Sequence, residues 1–171
     1  LRPEIAHLEL SDADMTAIAL HCFAIGIEFM CTPFGVPQVE FLAPLVKRMK
    51  VASGCLANEP LLRAVAATGL PVVLSTGMNN IEGVDAALKV LGHRGVTLLH
   101  CTSAYPCPID EVNLSALDSL MGFGLPVGYS DHTPGITVSI AAVARGAVVL
   151  EKHLTLDRNA EGPDHKASIE P

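Results

Sequence analysis

The chain has 171 residues, half of them hydrophobic and only 17% charged, with no Trp and a formal net charge of −7. That length carries one domain with a real core and excludes two ordinary domains. The acidic balance argues against nucleic-acid or anionic-membrane partners, so any bound phosphate ligand needs basic groups placed locally.

In chain order, Ser11 reads as the N-cap of a helix over Asp12–Ala24. Strands are predicted at Ile27–Cys31 and Met49–Ala52. A helix over Leu61–Ala67 then ends at Gly69, before a strand at Pro71–Leu74. Ile81, Val84, Ala87, Leu88 and Leu91 fall at helical spacing, and Gly92 closes that helix ahead of a strand at Val96–His100. Tyr105-Pro106-Cys107-Pro108 is a stiff loop that cannot extend the strand before it. A helix over Val112–Leu120, a strand at Pro126–Tyr129, a helix over Ile136–Ala144 and a strand at Val148–Lys152 complete the set. Strand starts at 27, 49, 71, 96, 126 and 148 give a regular βα alternation, which predicts right-handed units in a parallel sheet.

Both a doubly wound sheet and a (β/α)8 barrel fit that alternation. No Gly-x-Gly-x-x-Gly follows the first strand, which weakens the dinucleotide-binding form. Polar clusters at the strand ends favour the TIM barrel, whose site collects side chains from many strands. Six units are visible, whereas a barrel needs eight and about 250 residues. The expectation is an α/β chain forming part of such a barrel, with its beginning missing, as a first residue other than Met also suggests.

The five cysteines (Cys22, Cys31, Cys55, Cys101 and Cys107) contain no Cys-x-x-Cys pair. Reduced thiols in a cytoplasmic protein are expected, with neither a disulfide framework nor a zinc ribbon. No signal-peptide pattern is present, and Arg145 breaks the longest apolar stretch, so no membrane span is expected.

The strand ends carry the chemistry. Lys50 is a cation in an apolar strand, which either meets an anion at the barrel mouth or reaches to water along its stem. Ser75-Thr76-Gly77 makes a small turn with hydroxyl and backbone N–H groups suited to an anion, although Ser/Thr-Gly also ends strands for turn reasons alone. His100 sits within an apolar run and reads more readily as a satisfied core histidine than as a ligand. Strand alternation lets Ser130 and His132 share one face, and likewise Glu151 and His153. Two imidazoles near a carboxylate suit Mn²⁺, Co²⁺ or Zn²⁺ with open water positions, but two unrelated strand-end histidines would look the same. Asp157-Arg158-Asn159 and Gly162–Lys166 form a polar loop that either reads a polyol or is simply solvated.

Taken together and in order, these motifs carry a family resemblance. They are Lys50-Val-Ala-Ser-Gly, Leu74-Ser-Thr-Gly-Met, Leu99-His-Cys-Thr-Ser, Tyr105-Pro, Gly128-Tyr-Ser-Asp-His-Thr, Glu151-Lys-His, Leu156-Asp-Arg-Asn and Gly162-Pro-Asp-His-Lys-Ala-Ser. The chain resembles the sialic acid synthase (N-acetylneuraminate synthase) family over essentially its whole length. The resemblance implies a (β/α)8 barrel that condenses phosphoenolpyruvate with N-acetylmannosamine or a related N-acetylated hexose, giving a nonulosonic acid and phosphate. It implies phosphoenolpyruvate contacts at Lys50, Ser53, Ser75, Ser103 and Ser130, and sugar contacts at Tyr105 and Asp164. His132 and His153 become ligands of a divalent ion, Mn²⁺ first and Mg²⁺ or Co²⁺ as alternatives, with Glu151 an acid/base or supporting group. It further implies that residues 1–171 hold the third to eighth barrel units, and that two earlier units and a C-terminal antifreeze-like domain are absent. The full-length protein would be a homodimer, and this segment alone would be inactive. One departure is Cys55, where the family usually carries an acidic residue.

Pseudaminic or legionaminic acid synthesis uses the same chemistry on another hexose and stands as the near alternative. A non-catalytic remnant is a second. A Schiff-base aldolase using Lys50 or Lys152 is a third, in which the paired histidines have no role.

Overall fold

In the computed structural model, which describes residues 9–171, Ser11 closes a reciprocal capping box with Asp14 and starts helix α1 (Asp12–Ile25). Gly26, at φ +77°, ends it in the left-handed conformation. Helix α2 (Val36–Leu42) and strand β1 (Met49–Val51) follow. Helix α3 (Glu59–Ala67) is capped by Asn58, and strand β2 spans Val72–Ser75. Helix α4 (Ile81–Leu91), capped by Asn80, precedes strand β3 (Val96–His100). Helix α5 (Ala116–Met121), strand β4 (Val127–Asp131), helix α6 (Thr137–Ala144) and strand β5 (Leu150–Lys152) complete the chain.

The five strands are parallel and lie in sequence order, β1-β2-β3-β4-β5. Each pairs in register with the next: Met49 with Val72, Val72 with Val96, Leu98 with Val127 and Tyr129 with Leu150. A doubly wound sheet reverses its strand order part-way across, and this one does not. It is a curled half-barrel with helices on its outer face.

Alternation divides the strand residues between two environments. Met49, Val51, Val72, Leu74, Val96, Leu98, Val127 and Tyr129 join the outer core with Leu61, Leu62 and Val65 of α3, Leu88 of α4, Leu117 of α5 and Ala142 of α6. Each fully buried Leu or Val contributes roughly 1.5–3 kcal/mol, and the helices are anchored through these contacts. The alternate residues Lys50, Ser75, Ser130 and Glu151 point the other way, into the hollow of the sheet, where the chemistry collects.

Two expectations are corrected, and one helix is added. Ile27–Cys31 forms no strand: among the described residues, its backbone bond to the sheet is the Cys31 carbonyl accepting from Lys50 N–H at 3.4 Å. Among the described residues no strand lies on its other edge, so the segment runs extended without a ladder. Helix α2 was not predicted; its Pro37 falls in the first turn, where no N–H is needed. The helix expected at Val112–Leu120 begins only at Ala116, after a 3₁₀ turn at Ile109–Glu111 and Asn113 at φ +44°. The first eight residues of the expected 1–171 domain lie outside the described part. Among the described residues, no helix is long and apolar enough to cross a membrane.

Candidate active site

Nine of the ten candidate residues line one cavity of about 320 Å³ at the carboxyl ends of the strands: Lys50, Ser53, Ser75, Ser103, Tyr105, Ser130, His132, Glu151 and His153. Asp164 stands beside it, with Oδ2 3.8 Å from His153 Nδ1. A larger cavity of about 490 Å³ lies near the starts of α4 and α5 and is lined by none of the ten. Size therefore does not mark the site; convergence of polar groups does.

The cavity has a cationic side. Lys50 is 7% exposed, so its stem does not lead to water. Its Nζ donates to Ser75 Oγ at 2.8 Å and lies 3.5 Å from Glu151 Oε2. Ser53 stands nearby on the 3₁₀ turn after β1, where its Oγ accepts from Gly77 N–H at 2.9 Å and lies 3.2 Å from Cys101 Sγ. That contact corrects the anion turn expected at Ser75-Thr76-Gly77. Gly77 N–H is held by Ser53, and Thr76 N–H by the Leu99 carbonyl at 3.0 Å. Within that turn the two N–H groups and the Thr76 hydroxyl are already engaged, which leaves Ser75 beside Lys50 to meet an anion. Gly77 itself is required, because a Cβ there would come within 2.7 Å of both Cys101 Sγ and Ser103 Oγ.

The cavity also has an imidazole side. Ser130 and His132 leave β4 on the inner face, and Glu151 and His153 leave β5 beside them. Ser130 Oγ donates to Glu151 Oε1 at 2.6 Å and lies 3.4 Å from His132 Nε2. The Thr102 carbonyl, 2.7 Å from His132 Nδ1, is a pure acceptor, so the proton of the neutral ring sits on Nδ1. That leaves the Nε2 lone pair facing the cavity. Burial lowers the His132 pKa, with the neighbouring His153 acting in the same direction, against the Thr102 bond and the Glu151 and Asp131 carboxylates. The two imidazole centroids are 5.5 Å apart, and the Tyr105 ring packs 4.1 Å from His132 and 5.6 Å from His153. Burial and nearby acidic groups raise the Tyr105 pKa, so its phenol keeps its proton.

The donor set fits a metal with few protein ligands. Two neighbouring imidazoles, one with its tautomer fixed from behind, leave most coordination positions to water or substrate. Among the described residues, no group of three or more His, Cys, Asp or Glu side chains gathers as a closed metal site. A structural zinc centre does not fit.

A family model described as the NeuB family matches residues 3–171. The chain belongs to the NeuB family. Within reach of that assignment, it is 48% identical to the N,N'-diacetyllegionaminic acid synthase of Campylobacter jejuni, over 98% of this chain and 52% of that protein. It is 38% identical to the human N-acetylneuraminate-9-phosphate synthase, over 96% of this chain and 47% of that one. The crystal structure of the N-acetylneuraminic acid (sialic acid) synthetase from Leptospira borgpetersenii superposes with a TM-score of 0.90 at 36% identity, covering 95% of this chain and 58% of that one. The chain thus spans about half the length of the curated NeuB-family relatives it matches.

Several residues stand apart from the candidate site. His100 bonds the Val112 carbonyl through Nε2 at 2.9 Å and packs on Tyr129, as a core histidine does. Cys55 is buried in the core and does not line the cavity, although its thiol lies close enough to Lys50 to feel that charge. Lys152 is held by Asp131 and the Thr133 carbonyl and lines none of this cavity, which removes it as a Schiff-base nucleophile there. Arg158 and Lys166 of the polar loop line a separate pocket. Sequence reasoning missed Thr102, whose contribution is a backbone carbonyl and leaves no trace in residue type. It also passed over the Asp131–Lys152 pair, although alternation puts both on the face opposite the histidines.

Proposed function

We propose that the cavity is the phosphoenolpyruvate and metal part of a nonulosonic acid synthase site. It would condense phosphoenolpyruvate with N-acetylmannosamine or a related N-acetylated hexose. The supporting observation is that one cavity brings together a buried Lys50–Ser75 cation site and the His132–His153 pair, bridged by Glu151 and Ser130, in a chain of this family.

In this reading, Lys50 with Ser53 and Ser75 receives the phosphate and carboxylate, and Ser103 and Ser130 complete the cradle. Ligand-free Lys50 is partly neutralised by Glu151, and an incoming anion takes over that pairing. C3 of phosphoenolpyruvate bonds to the aldehyde carbon of the sugar, water adds its oxygen to C2, and phosphate leaves as the C2–O bond breaks. Glu151, hydrogen-bonded to Ser130 and next to the histidines, is placed to take or return the proton of the water or the new hydroxyl. Tyr105, a retained phenol, and Asp164 are placed to bind the sugar. A divalent ion on His132 and His153, Mn²⁺ first with Mg²⁺ or Co²⁺ as alternatives, would polarise the acceptor aldehyde.

The five-stranded half-barrel, with the extended segment Ile27–Cys31 in the place of a sixth strand, would be the third to eighth units of a complete (β/α)8 barrel in a cytoplasmic homodimer, with the 171 residues inactive alone. The test is a chimera in which residues 9–171 replace the matched half of the Campylobacter legionaminic acid synthase, assayed with a panel of N-acetylated hexoses. Phosphate release that needs both substrates, and that Lys50→Met and His132→Ala each abolish, is the expected result. The preferred hexose separates neuraminic, legionaminic and pseudaminic acid synthesis. Release untouched by both substitutions contradicts the assignment.

A further inference from the structure

One charged cluster lies outside the cavity and has no part in the chemistry above. Asp131, the last residue of β4, is fully buried on the helix-facing side of the sheet. Its Oδ1 accepts from Thr133 N–H at 2.8 Å and Thr133 Oγ at 2.7 Å. Its Oδ2 accepts from Ser139 Oγ of α6 at 2.5 Å and lies 3.3 Å from Lys152 Nζ. Lys152, the last residue of β5, also donates to the Thr133 carbonyl. One carboxylate therefore joins the end of β4, the loop after it, helix α6 and the end of β5.

Asp131 and Lys152 are also the last register pair of the β4–β5 ladder. The next residues on the two strands are His132 and His153, which turn to the opposite face. Beyond the pair, no ladder bond fixes one histidine relative to the other. Strand β5 is only three residues long and stands at the end of the strand order. On its other side the His153 carbonyl accepts from Ile169 N–H at 2.9 Å, next to the isolated Leu154–Ile169 bridge, and its ring stands 3.8 Å from the Asp164 carboxylate. A buried, multiply bonded ion pair is costly to form, and in some proteins such groups fix a unique geometry.

We propose that Asp131 and Lys152 are positioning residues: they clamp the ends of β4 and β5 so that the two imidazoles stay at the spacing a shared divalent ion requires. This rests on the metal reading above and extends it to a pair that would touch neither metal nor substrate. Outer groups that orient metal ligands typically change affinity by about ten- to a hundredfold when removed.

The test is Co²⁺ titration of the chain, followed by the visible absorption of the bound ion, with thermal unfolding of each variant alongside. Wild-type binding that His132→Ala and His153→Ala each abolish establishes the site. Lys152→Met and Asp131→Asn are each expected to weaken Co²⁺ about tenfold or more, with the double variant no worse than the weaker-binding single one, because the pair acts as a unit. Leu117→Ala, which opens the outer core far from the histidines, should lower Tm without moving the Co²⁺ affinity. Lys152→Met and Asp131→Asn binding within twofold of wild type would overturn the clamp and leave the metal reading standing. So would an equal loss of affinity in Leu117→Ala. Wild-type binding indifferent to both histidine substitutions would overturn the metal reading and the clamp together.

Discussion

At the residue scale, burial decides what each group can do. Lys50 is an unusual residue for a strand interior, and its neighbours account for it: a hydroxyl at 2.8 Å and a carboxylate at 3.5 Å. Replacing it with Met removes a charge-assisted contact to any bound anion, a loss of about 1.5–3 kcal/mol. Phosphoenolpyruvate affinity, measured by titration calorimetry, should fall roughly ten- to a hundredfold. His132 gives a pH signature. Its pKa lies below the ordinary 6.5, so below pH 6.5 the unfolded chain takes up the proton first. The stability from this neutral ring is therefore complete above 6.5 and declines as pH falls from there towards the folded-state value. An NMR titration of the imidazole should show a midpoint below 6.5, and one at or above it would contradict the burial argument. Lys50, Ser75, Ser130, His132, Glu151 and His153 stood out as polar groups at strand ends, each with a plain structural alternative, whereas Ser53, Ser103, Tyr105 and Asp164 were reached only through the family resemblance. The tautomer of His132 was not legible, since it depends on a carbonyl 30 positions away in sequence.

At the element scale, the alternation of short apolar runs and amphipathic helices was readable, and β2, β3 and β4 fall where hydrophobic periodicity puts them. Segment Ile27–Cys31 has the same apolar composition and is not a strand. Periodicity reports which residues want burial, whereas a ladder needs a partner edge. Helix α2 was not predicted at all, and Pro37 at its start is compatible with a helix because it occupies the first turn. Gly128 in mid-β4 has a reason only the packing reveals. A Cβ there would meet the Val149 carbonyl and come within 2.6 Å of Leu99 Cδ2. Gly128→Ala must therefore push β5 from β4 at about 3 kcal/mol, lowering Tm by roughly 10 °C in a scanning unfolding experiment. An unchanged Tm would show that β5 is not held as described.

At the scale of the whole molecule, the hollow side of the sheet carries the site, and large apolar side chains are open to solvent, among them Phe23 at 83% and Leu156 at 91% exposure. The chain covers about half of its curated relatives, and catalysis is sensitive to placement at the level of 1 Å. With Mn²⁺, phosphoenolpyruvate and N-acetylmannosamine, the 171 residues alone should release phosphate about a hundredfold more slowly than a full-length synthase, or slower still. Turnover near the full-length rate would contradict that. The most direct measurement of the central assignment is a crystal structure of the chain with phosphoenolpyruvate and Mn²⁺, using the anomalous signal of the metal. The expected result is a phosphate held by Lys50, Ser53 and Ser75, with one anomalous peak on His132 Nε2 and His153. Phosphoenolpyruvate away from Lys50, or a metal peak away from both histidines, would contradict it.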